Sequence, residues 1–249
     1  MKRDELVQWM NALLSVEAIG DVSLNGLQVE GRDEVTKVAV AVDACQHTLD
    51  AAVEAGAHML IVHHGLFWGA SERVVGPLAR RLRSALCGGL NLYAAHLPLD
   101  VHPEVGNNAA LARLIGLRDR SPFGGYHGVD IGFWGEVDPI PAQALAQRVG
   151  EALSGPIHLL PFGPAEVRRV GIVSGGGDYA IDEALSLGLD LLLTGEVLHQ
   201  RYFLAEEGGL HVLAAGHYAT ETTGVRALGR LLAERHGLEV AFIDHPTGL

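Results

Sequence analysis

The chain has 249 residues, of which 48% are hydrophobic and 19% are charged. That length allows one large domain or two smaller ones, and the apolar fraction is too high for a disordered protein. The formal net charge is −12, with 18 lysines and arginines against 30 aspartates and glutamates, so a nucleic-acid-binding protein with a basic face is not expected.

The N-terminal segment and the cysteines bear on the cellular compartment. Leu6, Trp9, Met10, Leu13 and Leu14 fall at helical spacing within residues 1–14, which predicts an amphipathic helix. No apolar run is long enough to span a membrane. Cys45 and Cys87 lie in apolar sequence outside any CxxC pair, so we expect buried free thiols in a cytoplasmic protein.

From residue 36 onwards, apolar strand-like segments alternate with helix-like segments. The first half has predicted strands in TKVAVAVDAC, HMLIVHH and LNLYAAH, with helices in QHTLDAAVEAGA and GPLARRLRSALCGG. The second half has predicted strands in RRVGIVSGGG, LDLLLTGE, LHVLAAGH and LEVAFIDH, with helices in DYAIDEALSLG, VLHQRYFLAEEGG and TTGVRALGRLLAERHG. This alternation is typical of an α/β fold with a largely parallel sheet.

The two halves also resemble each other in sequence. Residues 38–64 align with residues 170–196 without a gap. Further along, each half carries a histidine followed after three residues by an acid, namely His96 with Asp100 and His217 with Glu221.

We therefore expect an internal duplication, with two similar three-layer α/β/α halves. The break between them is expected in the segment RDRSPFGGYHG, residues 118–128. The predicted N-terminal domain covers residues 1–122 and the predicted C-terminal domain residues 123–249, with the last helix and strand as candidates to pack back on the first domain.

Polar side chains gather where the predicted strands end, which is the edge at which open α/β sheets bind ligands. One isolated histidine is more often exposed or hydrogen-bonded than a ligand, but adjacent histidines and a duplicated His-x3-acid unit are together an unusual coincidence. Imidazole with carboxylate suits Zn, Fe, Mn, Ni or Co. The four sets are His63 with His64, His96 with Asp100, Thr194 with Glu196, and His217 with Glu221.

The spacing within these sets is compatible with metal binding. Adjacent residues of a strand point to opposite faces, so His63 and His64 reach one centre only where the strand ends, and Gly65 gives the freedom to turn. Residues four apart share a helix face, so His217 and Glu221 can approach one ion if a helix begins there. Carboxylates can also bridge two ions.

At this point the motifs resemble a known family. LIVHHGLFW, AAHLPLD followed by GNNAALA, LLLTGEV, AAGHYATE and the N-terminal NGLQVEG are similar to those of the GTP cyclohydrolase 1 type 2 family, the NIF-three-like dinuclear-metal proteins. The resemblance runs from about Leu24 to His245. It implies two α/β domains with two divalent transition metal ions in the cleft between them, and a toroidal homohexamer.

The resemblance also implies roles for particular residues. His96 is expected beside the metals, binding weakly or through water, and is the one acid–base candidate. Independently of the resemblance, Glu196 is expected to be structural or to line the cleft, and Gly175 and Gly176 are possible cleft-lining residues. The SGGGD turn around these glycines could present amides to a phosphate, although a tight turn is the plainer interpretation. The five implied metal ligands are His63, His64, Asp100, His217 and Glu221.

Two classes of function remain open. The first is a dinuclear-metal-dependent hydrolase, in which a metal-activated water attacks a small-molecule substrate such as GTP, a phosphate ester or another ring or amide. The second is a non-catalytic metal-binding or regulatory scaffold, or a metal carrier, because ligands alone do not establish turnover. No P-loop of the GxxxxGK[ST] form is present.

Overall fold

The computed structural model describes all 249 residues, which divide into two compact units. Unit 1 comprises Met1–Val105 and Gly224–His245, and unit 2 comprises Gly106–Thr223 and Pro246–Leu249. Each unit has its own mixed α/β structure, with one sheet and buried apolar residues packed against it.

Helices and strands alternate along most of the chain, as the sequence predicts. None of the helices combines the length and the apolar content needed to cross a lipid bilayer. In chain order the elements are α1 (Arg3–Leu13), β1 (Gly26–Val29), β2 (Lys37–Asp43), α2 (Gln46–Glu54), β3 (Met59–His64), α3 (Gly76–Gly88), β4 (Asn91–Ala94), α4 (Leu97–Asp100), α5 (Asn107–Ile115), β5 (Arg118–Tyr126), β6 (Val129–Ile140), α6 (Ala142–Leu153), β7 (His158–Leu160), β8 (Val167–Val173), α7 (Ile181–Ser186), β9 (Leu191–Thr194), α8 (Tyr202–Gly208), β10 (His211–Ala214), α9 (His217–His236) and β11 (Glu239–Phe242).

The sheet of unit 1 has the strand order β1-β4-β3-β2-β11. Strands β11, β2, β3 and β4 run parallel, and β1 is antiparallel to β4. Near-continuous apolar sequences form β2 and β3 because parallel strands are covered on both faces. The core of this unit contains Leu49 of α2, Leu60 and Val62 of β3, and Leu92 of β4, all fully buried.

The sheet of unit 2 has the strand order β5-β6-β8-β9-β10-β7. Its centre repeats the parallel arrangement, since β8, β9 and β10 run in one direction. The hairpin β5–β6 extends it on one side and β7 closes the other side, both by antiparallel pairing. Helices α5 and α6 contribute Leu111, Leu145 and Val149 to a core shared with Val170 and Leu193.

Equivalent strand pairs of the two sheets have the same register, which confirms two similar α/β halves. Val38 of β2 lies opposite Met59 of β3, and Val170 of β8 lies opposite Leu191 of β9. These are the positions that the gapless alignment of the two halves equates. A duplicated βαβ frame accounts for both the shared sequence pattern and the shared register.

The repeat extends further upstream than the sequence pattern indicated. Strand β1 pairs with β4 in unit 1 as β7 pairs with β10 in unit 2, and Leu27 faces Tyr93 just as Leu159 faces Leu213. The gapless alignment therefore continues back through short edge strands that were not predicted.

Each unit also has a buried polar residue that begins the third strand of its repeat. Asn91 accepts the N–H of Gly31 at 2.7 Å and donates to the carbonyls of Arg32 and His58, both at 2.9 Å. In unit 2 the residue is His211, whose ring accepts from the N–H of Gly163 at 3.1 Å and donates to the carbonyl of Pro164 at 2.8 Å. Two different side chains thus form hydrogen bonds to equivalent segments, the one that follows β1 in unit 1 and the one that follows β7 in unit 2.

The segment 118–128, where we expected a break between the halves, is part of the second sheet. It forms β5 and the turn into β6. Its proline and glycines resemble a linker, but Pro122 is compatible with pairing because β5 is an edge strand. The chain leaves unit 1 between Val105 and Gly106, ahead of the predicted boundary at residue 122, because α5 packs with α6 in unit 2.

The cysteines are free, but the expectation that both are buried is wrong. Cys45 is partly buried and Cys87 is exposed. Helix α3 turns Leu78 and Ala85 towards the core. Cys87 lies two residues beyond Ala85, which is about 200° around a helix of 3.6 residues per turn, so its thiol lies on the outer face.

Replacing Asn91 with alanine is expected to lower the free energy of unfolding by about 2–4 kcal/mol, because the N–H of Gly31 and the carbonyl of Arg32 lose their bond to the side chain and the carbonyl of His58 keeps only the backbone N–H of residue 91. Urea unfolding followed by circular dichroism measures the change. Gln147→Ala is the control, since Gln147 is exposed on α6 and its side-chain amide donates a hydrogen bond to the exposed carboxylate of Glu151. The control should stay within about 0.5 kcal/mol of the unmodified chain. Equal urea midpoints for Asn91→Ala and the unmodified chain would contradict the role of this residue.

Candidate metal centre

The carboxyl ends of β3 and β4 bring three histidines of unit 1 together. His63 and His64 are the last residues of β3, and His96 precedes α4 just after β4. Ring nitrogens of the three residues lie within 4.8 Å of one another. His63 is fully buried, whereas the side chains of His64 and His96 keep 20% and 18% of their surface exposed. Parallel pairing places both strand ends at one edge, as the sequence predicts.

Each of these histidines has its Nδ1 bonded to an oxygen. Nδ1 of His63 donates to the carbonyl of Ala95 at 3.0 Å. Nδ1 of His64 lies 2.8 Å from Oδ1 of Asp43, the last residue of β2. Nδ1 of His96 lies 3.0 Å from Oδ1 of Asp21 in the loop before β1.

These oxygens determine which nitrogen can bind an ion. A carbonyl or an ionised carboxylate only accepts, so Nδ1 must carry the proton in every case. In the neutral ring Nε2 then keeps its lone pair. The hydrogen bond at Nδ1 fixes the orientation of the ring and therefore the direction of that lone pair. Oriented histidines of this kind, with a carboxylate or carbonyl behind them, are characteristic of metal sites.

Asp21 is the most strongly bonded of these acceptors. Burial by itself would raise the pKa of the Asp21 carboxyl, but hydrogen bonds from His96, Asn25 and the backbone hold it well below its usual range. Its Oδ2 also accepts the N–H of Leu97 at 3.0 Å, at the start of α4. One carboxylate therefore fixes both the ring of His96 and the beginning of α4.

Asp100 ends α4 and faces His63. Its Oδ2 lies 3.6 Å from Nε2 of His63, and both side chains are almost completely buried. That separation is too long for a hydrogen bond. It does fit two ligands of a common ion, because bonds of about 2.0–2.2 Å to one metal leave the two ligand atoms about 3.0–3.6 Å apart. The donor set of unit 1 therefore fits a divalent transition metal.

Unit 2 presents a second set in the first turn of α9. Nε2 of His217 lies 3.1 Å from Oε1 of Glu221, and its Nδ1 lies 3.0 Å from Oε1 of Glu196. The hydrogen bond to Glu221 raises the pKa of His217 to about 9, with burial opposing it. The helix begins at His217, so the two candidate ligands share one face, as expected.

Gly175 leaves the space that this pair occupies. Its φ of +61° is rare for residues with side chains, and a Cβ there would collide with Oε1 of Glu221 and lie 3.1 Å from Nε2 of His217. Gly176 lies beside the carboxylate of Glu196, with an added Cβ at 3.3 Å from Oε1. The three residues proposed to line the cleft thus lie next to the His217–Glu221 pair within unit 2.

The amides of the SGGGD turn are largely engaged within the protein. The N–H of Gly175 donates to Oγ1 of Thr220, and the N–H of Gly177 donates to Oγ1 of Thr194, both at 3.0 Å. Two of the donors that a phosphate would need are therefore occupied. The geometry favours the plainer interpretation, a tight turn between a strand and a helix.

Sequence reasoning missed the carboxylates behind the histidines. Asp21 and Asp43 were not among the polar sets expected at the strand ends, and Glu196 was expected in such a set and as a lining residue but not as the acid that orients His217. Asp43 offered one signal, since it ends a predicted strand next to the one that carries His64. Asp21 offered none, because its segment has no periodic pattern.

Replacing Asp43 with alanine is expected to weaken metal binding about 10- to 100-fold, because the ring of His64 loses the bond that orients it. A competition titration against a chromophoric chelator measures the affinity. Asp138→Ala is the matched control, since that carboxylate is exposed and pairs with Arg118 on the surface. Equal affinities for the two variants would show that the Asp43–His64 bond does not orient a ligand.

Known proteins match this chain over its whole length. The Duf34/NIF3 (NGG1p interacting factor 3) family model covers residues 1–248. A GTP cyclohydrolase 1 type 2 homolog of Pyrococcus horikoshii is 51% identical over 251 residues, with 100% of each chain covered, and one of Deinococcus radiodurans is 47% identical, covering 99% of this chain and 94% of the relative.

Solved structures agree with that match. The crystal structure of TTHA1606 from Thermus thermophilus is 44% identical, with a TM-score of 0.94 and 100% of both chains covered. Reduced HcgD from Methanocaldococcus jannaschii has the same fold, with a TM-score of 0.88 at 24% identity and 98% of both chains covered. The chain therefore belongs to the Duf34/NIF3 family.

Proposed function

We propose that this protein is a cytoplasmic dinuclear-metal-dependent hydrolase that acts on a nucleotide or another small substrate. The observation that supports it most is the set of Nδ1 bonds: all four histidines at these strand ends have an oxygen behind the ring. Structural histidines have no need of that shared orientation, whereas metal ligands do. The name GTP cyclohydrolase 1 type 2 homolog of the relatives agrees with a nucleotide substrate.

We propose that the donors of the two units serve one pair of divalent transition metal ions, as the family resemblance implies. Mixed imidazole and carboxylate donors suit Zn, Fe, Mn, Ni or Co. Such ions supply Lewis acidity: they lower the pKa of water and stabilise negative charge on a reacting oxygen. The proposed ligands are His63, His64, Asp100, His217 and Glu221.

The remaining polar residues would orient ligands and move protons. Asp43 and Glu196 orient His64 and His217 through the Nδ1 bonds. His96 has its Nδ1 proton held by Asp21, so its Nε2 is the atom that would take a proton from water or give one to a leaving group. His96 is thus our candidate for proton transfer, with weak metal binding as its other role.

A metal carrier or regulatory scaffold is the second candidate. It is favoured by the partial exposure of two of the five proposed ligands, since the His217 side chain keeps 32% of its surface exposed and that of His64 keeps 20%. Ligands that solvent and chelators can reach allow ions to exchange. Affinity and turnover distinguish this function from the first.

The double variant His63→Ala with His217→Ala is expected to lose both ions, since it removes a ligand from each unit. Elemental analysis of purified protein measures metal content, and a screen with GTP and generic phosphate esters measures turnover. We expect about two transition-metal ions per unmodified chain and metal-dependent hydrolysis. His199→Ala, a change at an exposed histidine outside the proposed ligand set, should alter neither property.

The possible results separate the two proposals. Metal content in the unmodified chain no higher than in the double variant would refute the assigned site. Two bound ions without turnover of any substrate would refute the hydrolase and leave the carrier. Turnover that disappears with the metals and returns when they are restored would support the hydrolase.

We also propose that the chain assembles as a homohexamer. Several large apolar side chains are exposed on its surface, and burial between copies would remove them from water. Sedimentation at micromolar concentration should therefore give a particle of six 26.4 kDa chains. A single chain or a dimer under those conditions would contradict this proposal. The exposed side chains are Val74, Val75, Leu86, Leu198 and Phe203.

A further inference from the structure

Trp68 lies beside the histidine group of unit 1 but has no part in the proposed metal centre. Its ring centroid is 5.1 Å from that of His96, in an edge-to-face contact, and 5.8 Å from that of His64. The side chain nevertheless keeps 37% of its surface exposed. A large aromatic ring is thus partly open to solvent directly beside two candidate ligands.

The segment that carries Trp68 is tightly held. The N–H of Leu66 donates to Oε1 of Gln28 at 2.7 Å, and the carbonyl of Phe67 accepts the N–H of Leu24 at 3.0 Å. Leu66 is itself buried. The backbone just before Trp68 is therefore held by hydrogen bonds to β1 and to the loop that precedes β1. The indole thus extends from a held segment of the chain.

The indole N–H is already used. Nε1 of Trp68 donates to the carbonyl of Gly65 at 3.1 Å, within the same turn. The exposed part of the ring has no polar group left to offer and can act only through its aromatic surface. Such a surface recognises planar rings by stacking, or cations by attraction to the ring face.

We propose that Trp68 is a specificity-determining residue on which a planar heteroaromatic ring of the substrate, such as a nucleobase, stacks. This inference rests on the proposed function, because it places the substrate at the proposed metal centre, beside which the indole ring of Trp68 lies. Stacking would place the ring of a substrate against Trp68 while the attached polar groups extend towards the histidines. Base stacking on aromatic side chains tolerates many ring types, so Trp68 selects for the class and not for one base.

The test compares GMP with ribose 5-phosphate, which has the same phosphate and sugar but a hydroxyl at C1′ in place of guanine. Calorimetry on the metal-loaded full chain measures both affinities in the unmodified protein, Trp68→Phe and Trp68→Leu. We expect GMP to bind more tightly than ribose 5-phosphate, with an advantage that falls about 5- to 100-fold in Trp68→Leu. Trp68→Phe should keep the advantage within about threefold, because phenylalanine still stacks.

A second readout places the base at the indole itself. The chain has three tryptophans, so the variant Trp9→Phe with Trp134→Phe leaves Trp68 as the sole indole. GMP should quench its fluorescence, and ribose 5-phosphate should not. Stronger quenching by tetramethylammonium than by GMP would overturn the proposal in favour of a cation site.

Two further results would also overturn it. One is a preference for GMP that is absent in the unmodified chain or unchanged in Trp68→Leu. The other is a loss of bound metal in Trp68→Leu, which would make the indole a packing support for the histidines. Failure of the hydrolase proposal is a separate result, since a preference for GMP that depends on Trp68 can be measured without any turnover.

Discussion

In each unit, neighbouring parallel strands end at the same side of the sheet. This constraint brings the candidate metal-binding side chains that follow those strands close together. In unit 1 the ends of β2, β3 and β4 lie next to one another. Asp43 ends β2, His63 and His64 end β3, and His96 follows β4. Residues far apart in sequence thereby become neighbours without any dedicated loop. The apolar interior of the strands is thus what positions the polar chemistry at their ends.

The duplicated frame is the same in both units, and the chemistry lies in small departures from it. Glu196 occupies the repeat position of His64, and Gly175 occupies that of Asp43. In unit 1 the strand-end histidine is a candidate ligand oriented by an acid. In unit 2 the acid at that position orients His217, and the glycine gives room to the His217–Glu221 pair. The strand-end position thus changes from a candidate ligand in unit 1 to a supporting acid in unit 2, and the position of the supporting acid becomes a glycine, while the backbone register is retained.

Sequence patterns predicted what depends on local periodicity. The parallel strands, the body of α9 from Thr222 onwards, and the pair of histidines at the end of β3 follow from apolar runs and spacing, whereas the structure starts α9 five residues earlier, at His217. The hairpin β5–β6 was missed because its proline and glycines are typical of linkers, although an edge strand tolerates both. Asp21 was missed because its bond to His96 joins residues 75 positions apart, and no local pattern encodes such a contact.

Strand β11 has a consequence for the order in which the protein can fold. It pairs with β2 in the sheet of unit 1, yet it is synthesised after nearly all of unit 2. Domains generally fold from the N-terminus as the ribosome releases them. Here the open edge of β2 must wait, unpaired and apolar, until about two hundred further residues have emerged. Unit 2 can complete its own sheet during that interval, so the unit that begins the chain is the last to be finished.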